Sequence, residues 1–205
     1  MRLSASLSLA LVGLAALTAP ALQASDLTFG AHAGLALPTG DLKTEVDSAA
    51  RPTLGLHMNV AFGGGHVLRP RLELTGFSKT ESASAAIGSV QRETRVKMTT
   101  VGADYLYYLE GNASRGLYGL AGAGLCASKV SSEFNVTSIL GNGSKTDSFS
   151  STKPYFSFGA GYQFNKHWGT EVRFNLAKHH TDATDTAPEV SGNLNTITAV
   201  ATFRF

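Results

Sequence analysis

Apolar and polar residues alternate along the chain with a period of two, which is the period of side chains in a β-strand. The pattern is clearest in residues 194–205, where apolar and polar side chains take turns up to Phe205. One face of such a strand is apolar and the other face is polar. The same alternation recurs along the chain and predicts eight strands. They cover residues 27–37, 53–62, 68–77, 96–109, 117–127, 154–164, 168–177 and 194–205.

The connections between these strands alternate strictly between short and long. The short connections are residues 63–66, 110–115 and 165–167, and the long connections are residues 38–51, 78–95, 128–153 and 178–193. Strands of about ten residues are long enough to cross a bilayer at a tilt of about 45°. Small membrane barrels have tight turns on one side and longer connections on the other. The pattern therefore predicts an antiparallel up-and-down meander with both termini on the short-turn side.

Charged residues within the strands lie on the face opposite to the apolar one. On seven of the eight predicted strands, the apolar face carries no Asp, Glu, Lys or Arg. This arrangement favours a barrel with lipid outside, since a soluble secreted barrel would place apolar residues inside and charges outside. The soluble barrel remains the alternative. For residues 117–127 both faces are small and apolar, so the sequence does not decide which face meets lipid.

Aromatic residues cluster beside the short connections. Membrane barrels place aromatic residues as girdles at the two membrane interfaces, so these residues are predicted to form such a girdle. They are Phe62, Tyr107, Tyr108, Tyr118, Phe164, Trp168, Phe203 and Phe205.

The composition agrees with a membrane barrel. Charged residues make up 16% of the chain, against about 25% in soluble domains. After the first residues, no segment reaches the roughly 20 apolar residues that a spanning helix needs.

The formal net charge is +2 without a strong basic patch, so a nucleic-acid partner is not expected. Cys126 is the single cysteine, which excludes an intramolecular disulfide and a thiolate metal site.

The first residues resemble a cleaved secretory signal peptide. Arg2 is followed by an apolar run at residues 7–17, and small residues precede a predicted cleavage after Ala24. The run is too short for a transmembrane helix, although a single-pass anchor is the competing interpretation. The predicted organisation is a signal peptide at residues 1–24 and one barrel domain at residues 25–205.

Several motifs carry a resemblance to a known family. They are L-A-L-P-T-G-D at residues 35–41, L-Y-G-L-A-G-A-G at residues 117–124, F-G-A-G-Y-Q-F at residues 158–164, N-K-H-W at residues 165–168 and the terminal F-R-F. The chain resembles the outer-membrane β-barrel family that includes the OmpA transmembrane domain and OmpX. The resemblance implies an all-β fold, an eight-stranded antiparallel transmembrane β-barrel, in the outer membrane of a Gram-negative cell envelope.

The resemblance also implies partners. The terminal strand, with Phe203 and Phe205 as its aromatic assembly signal, would be recognised by the barrel-assembly machinery. The outward surface would contact outer-membrane lipids and lipopolysaccharide, and the long connections could display a site for an extracellular ligand.

The lumen of an eight-stranded barrel is barely wide enough for its own side chains. Charges that point into it are tolerable only when they are paired. We therefore expect an interior charge network that plugs the lumen, formed by Arg71, Glu73, Asp104, Glu171 and Arg173. The expected protein is non-enzymatic, with a structural and surface-interaction role. The alternative is a narrow channel or a barrel that handles lipids or small molecules.

The sequence offers little support for catalysis, metal binding or a cofactor. His179 and His180 could bind a metal with His32 or His57, but no ligand spacing supports this site. Lipid A deacylases of similar size use a lipid-facing Ser–His–carboxylate site with His two residues before Ser. Here Thr181 follows His179 at that spacing, and Glu189 fits only loosely as the carboxylate. The G-x-G-x-x-A match at residues 122–127 is not followed by a helix pattern, which excludes a dinucleotide site.

Overall fold

The computed structural model describes residues 26–85, 88–138, 141–181 and 190–205. The predicted signal peptide and Glu189 lie outside this range. The described strands are β1 (Asp26–Pro38), β2 (Arg51–Gly63), β3 (His66–Ala85), β4 (Gly88–Tyr108), β5 (Gly116–Ser138), β6 (Gly141–Gln163), β7 (Trp168–Thr181), β8 (Val190–Asn193) and β9 (Thr196–Arg204). A short helix, α1 (Asp41–Glu45), follows β1. Among the described residues, no helix has the length and apolar character needed to span a membrane.

The strands close into a ring. Each strand from β1 to β7 pairs antiparallel with the next, and β9 joins β7 to β1. Strands β8 and β9 pair with β7 in one continuous register, because Lys178 lies opposite Asn193 and Asn175 lies opposite Thr196. They are therefore one strand of the barrel, interrupted at Leu194 and Asn195. The predicted eight-stranded antiparallel up-and-down barrel is confirmed.

Four strands extend well beyond their predicted ends. The prediction that residues 78–95 and 128–153 are long connections between strands is wrong, because β3 pairs with β4 as far as Ala85 and Gly88, and β5 pairs with β6 as far as Ser138 and Gly141. Apart from Phe77 and Val96 at its base, which belong to a buried apolar cluster, most side chains on both faces of this extension are polar. The apolar alternation that marks a membrane strand is therefore lost, although the backbone pairing continues. We call the extension the projecting sheet. It comprises residues 76–85, 88–97, 129–138 and 141–150.

The outward surface of the barrel is apolar. Large hydrophobic side chains are strongly exposed there, including Leu56 and Phe156 at 60% each. On β5 the outward face carries the exposed Leu117 and Leu125, whereas Cys126 is buried, which resolves the facing of this strand. This apolar belt covers the part of the barrel that lies between the short turns and the projecting sheet.

The lumen is filled in layers. Near the long connections, α1 inserts Leu42 into an apolar cluster that also contains Phe77, Met98 and Tyr155. Near the short turns, a second cluster is formed by Val67, Leu106, Leu120 and two tyrosines, Tyr108 and Tyr118. Both tyrosines are fully buried. The prediction that they belong to the aromatic girdle is therefore wrong, because both occupy positions of their strands whose side chains point into the lumen.

Two glycines on β5, Gly124 on the inward face and Gly119 on the outward face, provide a matched test of how closely the inward face is packed. A methyl group on Gly124 would clash with the Val101 carbonyl oxygen and lie 2.8 Å from the Tyr155 ring, whereas one on Gly119 would meet nothing within 4 Å. Gly124→Ala should lower the free energy of unfolding by about 1–3 kcal/mol. Gly119→Ala should leave it nearly unchanged. Urea unfolding in lipid vesicles, followed by fluorescence of the single tryptophan, measures both. Equal effects would contradict the assigned inward packing.

Candidate functional site

Six charged side chains meet in the middle of the lumen. Strand β3 supplies three of them, β4 supplies one and β7 supplies two. All six are at most 4% exposed. We call this group the ion chain, because positive and negative charges alternate along it. In order, its members are Asp104, Arg71, Glu73, Arg173, Glu171 and Arg69.

Five ion pairs link these side chains. Arg71 Nε lies 2.8 Å from Asp104 Oδ2, and Arg71 Nη1 lies 2.9 Å from Glu73 Oε2. Arg173 Nη1 lies 3.0 Å from the same Glu73 oxygen, and Arg173 Nε lies 2.5 Å from Glu171 Oε1. Arg69 Nη1 closes the series 2.5 Å from Glu171 Oε2. Each charge is compensated by an opposite neighbour, which is the condition under which buried charges are tolerated.

Two of these ion pairs cross the whole lumen. In a ring of eight strands, β3 and β7 lie four strands apart, on opposite walls. Arg69 and Glu73 of β3 therefore reach Glu171 and Arg173 of β7 across the full width of the barrel. The arrangement joins opposite walls through charge rather than through apolar packing.

Neutral side chains hold the ion chain in position. The Tyr118 hydroxyl donates to Glu171 Oε2 over 2.9 Å, and Arg69 Nε donates to Asn59 Oδ1 over 2.8 Å. Ser157 Oγ accepts from Arg71 Nη2 at 3.3 Å and donates to Asp104 Oδ1 at 3.2 Å. The guanidinium of Arg69 also lies 5.7 Å from the Tyr118 ring centre, a cation–π distance.

Two histidines extend the cluster towards β1 and β2. His32 Nε2 lies 3.1 Å from Glu73 Oε2, and the His32 and His57 rings stack with their centres 5.7 Å apart. His179 does not join them, because its Nδ1 lies 2.8 Å from Ser128 Oγ near the other end of the lumen. Among the described residues, no group of three or more His, Cys, Asp or Glu side chains is arranged to hold a metal ion. His179 is also buried, so it does not lie on the lipid-facing surface where a deacylase-like site would be.

The structure places the five sequence-predicted charged residues in the ion chain, and it adds Arg69. Arg69, Arg71 and Glu73 occupy alternate positions of β3 and therefore share its inward face. This spacing in the sequence could have predicted Arg69 as a member of the ion chain. Phe203 and Phe205 lie outside the lumen, where the Phe203 ring packs 4.7 Å from Trp168 and 5.4 Å from Phe205. The sequence does not reveal which neutral residues support the ion chain. It shows only that these residues occupy inward-facing positions of their strands; they are Asn59, Tyr118, Ser157, His32 and His57.

A cavity lies at each end of the lumen. One, of about 690 Å³, opens among the short turns and is lined by Thr28, Asn59 and Arg204 among others. The other, of about 450 Å³, lies beside α1 and is lined by Leu42 and His179 among others. The ion chain occupies the strand positions between them.

Comparison with known families matches residues 8–205 to the family described as outer membrane protein beta-barrel domain. No curated protein matches the chain. Among solved structures, the chain is similar to Ail, the attachment invasion locus protein of Yersinia pestis, with 14% identity and a TM-score of 0.49, covering 87% of this chain and 97% of that one. It is similar to the N-terminal β-barrel domain of Pseudomonas aeruginosa OprF, with 12% identity and a TM-score of 0.44, covering 89% and 100%. It is also similar to Neisserial surface protein A, with 14% identity and a TM-score of 0.42, covering 89% and 100%.

The two glutamates of β3 provide a test of the buried charges. Glu73→Gln should lower the free energy of unfolding by about 3–5 kcal/mol, because it leaves Arg71 and Arg173 buried without their shared carboxylate. Glu81→Gln, in the exposed projecting sheet, should leave it nearly unchanged, although Glu81 also pairs with a cation, Lys79. Urea unfolding in lipid vesicles compares the two variants. Equal effects would show that the buried pairing does not stabilise the barrel.

Proposed function

Because the chain belongs to the family of outer membrane proteins with a β-barrel domain, we propose that it is a non-enzymatic integral protein with a structural and surface-interaction role. It resides in the bacterial outer membrane, where its apolar belt faces lipid. We propose that its lipid partners include lipopolysaccharide, and that its lumen is closed by the ion chain.

The cross-lumen ion pairs carry the proposal of a closed lumen. Arg69–Glu171 and Arg173–Glu73 span the barrel, and the side chains of all four are at most 5% exposed. A water-filled pore would require these side chains to move apart, which would break charge-assisted hydrogen bonds in a poorly hydrated interior. The alternative function, a narrow channel, would use the cavities on both sides of the ion chain as vestibules.

The projecting sheet supports the surface-interaction role. Its outer strands, β3 beyond Thr75 and β6 before Tyr155, have no partner strand on their outer side in the part of the chain described. Such open edges can accept an extended segment of another protein. The sheet is polar and carries ion pairs such as Lys79–Glu81, in which the hydrogen bond from Lys79 lowers the pKa of the Glu81 carboxyl. We propose that this sheet faces the exterior and displays the site for an extracellular ligand.

Conductance in planar bilayers tests the closed lumen. The unmodified protein should show little or no conductance, and the double variant Glu73→Ala/Arg173→Ala should show more, since it removes a cross-lumen pair without changing the net charge. The control variant Lys79→Ala/Glu81→Ala removes an exposed pair and should behave like the parent. A large, stable conductance in the unmodified protein would overturn the structural role in favour of a channel.

Thiol labelling of intact cells tests the orientation of the projecting sheet. Ser82→Cys, in the exposed arm of β3, should react with a membrane-impermeant maleimide from outside. Lys166→Cys, in the short turn before β7, should react only after the outer membrane is permeabilised. The native Cys126 is fully buried and should not be labelled. The reverse labelling pattern would show that the sheet faces the periplasm.

We also propose that Phe203 and Phe205 form the assembly signal read by the barrel-assembly machinery. Phe205→Asp should then reduce the amount of folded, heat-modifiable protein in the outer membrane. Phe164→Asp is the matched control, because Phe164 is an exposed aromatic residue beside another short turn. A similar yield for both variants would refute a special role for the terminal strand.

A further inference from the structure

Arg204 differs from the arginines of the ion chain. It is 5% exposed, and its Nη1 donates to the Ala113 carbonyl oxygen over 2.7 Å while its Nη2 donates to the Tyr108 hydroxyl. Both acceptors are neutral, and its Nε is buried without a hydrogen-bond partner. In the part of the chain that the structure describes, Arg204 forms no ion pair, whereas Arg69, Arg71 and Arg173 each contact a carboxylate at 3.0 Å or less. Arg204 is thus a buried positive charge that has no counter-charge among the described residues.

This charge lines the cavity of about 690 Å³ at the short-turn end. Lys166 brings a second positive charge to the same cavity, and none of the described residues that line it is Asp or Glu. Asn59 Nδ2 donates to Thr28 Oγ1 over 3.3 Å, so the Thr28 hydroxyl proton is free to donate into the cavity. The lining therefore offers hydrogen-bond donors and positive charge but no negative charge.

We propose that this cavity is a binding site for an anion that carries a carboxylate or a phosphate group. Arg204 supplies the buried charge, Lys166 supplies an exposed charge, and Thr28 adds a neutral donor. A guanidinium suits such anions because its planar N–H groups match their oxygen atoms, and an anion would compensate a charge that is otherwise costly to bury. On the inner side the cavity ends at Asn59, which is bound to Arg69 of the ion chain. The site is therefore a pocket for binding and does not depend on whether the lumen conducts.

The test is an NMR titration of the folded protein in detergent micelles, followed at the Nε–H of Arg204. Inorganic phosphate and acetate are the two anion probes, and choline is the cation control. The Arg204 resonance should shift in a saturable way with at least one anion and not with choline. Saturation with phosphate alone would assign the phosphate class, and saturation with acetate alone would assign the carboxylate class.

Variants locate the site. Arg204→Gln should weaken binding about tenfold or more, since hydrogen bonds to charged groups are the stronger ones, and here binding is followed by calorimetry. Lys166→Gln should weaken it by a smaller factor, because exposed charges contribute less. Lys145→Gln, in the projecting sheet, is the matched control and should bind like the parent.

If Arg204→Gln does not fold, as judged by heat modifiability, Arg204→Lys and Lys166→Gln decide. Arg204→Lys keeps the buried positive charge but loses the planar N–H groups, and Lys166→Gln removes only an exposed charge. Weaker binding in these variants, with normal binding in Lys145→Gln, supports the site. No saturable response to either anion in the parent would overturn the proposal. Equal binding by the parent and by both the Arg204 and Lys166 variants would overturn it as well.

Discussion

The ion pairs between β3 and β7 connect opposite walls of the barrel across its lumen. Arg69 and Glu73 on one wall meet Glu171 and Arg173 on the other, at distances of 2.5–3.0 Å. A ring of eight strands leaves room for little besides side chains, so the polar face of each strand must be satisfied by the polar faces around it. The alternating order of charges meets that requirement, because every carboxylate in the ion chain touches at least one guanidinium.

The same alternation shapes the rest of the molecule. Since side chains alternate between the two faces of a strand, an apolar belt for lipid commits every second residue to the lumen. The lumen therefore collects charges, with His32 and His57, in its middle and tyrosines on either side of them. Glycines such as Gly124 occur where a side chain would clash with the neighbouring strand. Apolar residues, Leu42 of α1 among them, fill the lumen towards the long connections. In the part of the chain that the structure describes, Arg204 is the arginine of this polar interior that forms no ion pair.

Much of this could be predicted from the period-two pattern, which identifies the ring of strands and the parity of Arg71, Glu73 and Asp104. The pattern failed in the projecting sheet, where polar residues occupy both faces and only backbone pairing defines the strands. It could not place residues 117–127, because small apolar side chains occur on both of their faces. It also could not tell which arginine meets which carboxylate, since partners such as Arg69 and Glu171 are distant in sequence and meet only when the ring closes.

A double-mutant cycle on Arg69 and Glu171 tests most directly whether the ion chain holds the barrel together. The single variants Arg69→Met and Glu171→Gln and the double variant are unfolded in urea in lipid vesicles. Because the two side chains touch in a buried network, their coupling energy should lie in the upper part of the range of about 0.5–3 kcal/mol. A coupling energy indistinguishable from zero would show that the two walls are stabilised independently of the charge pair between them.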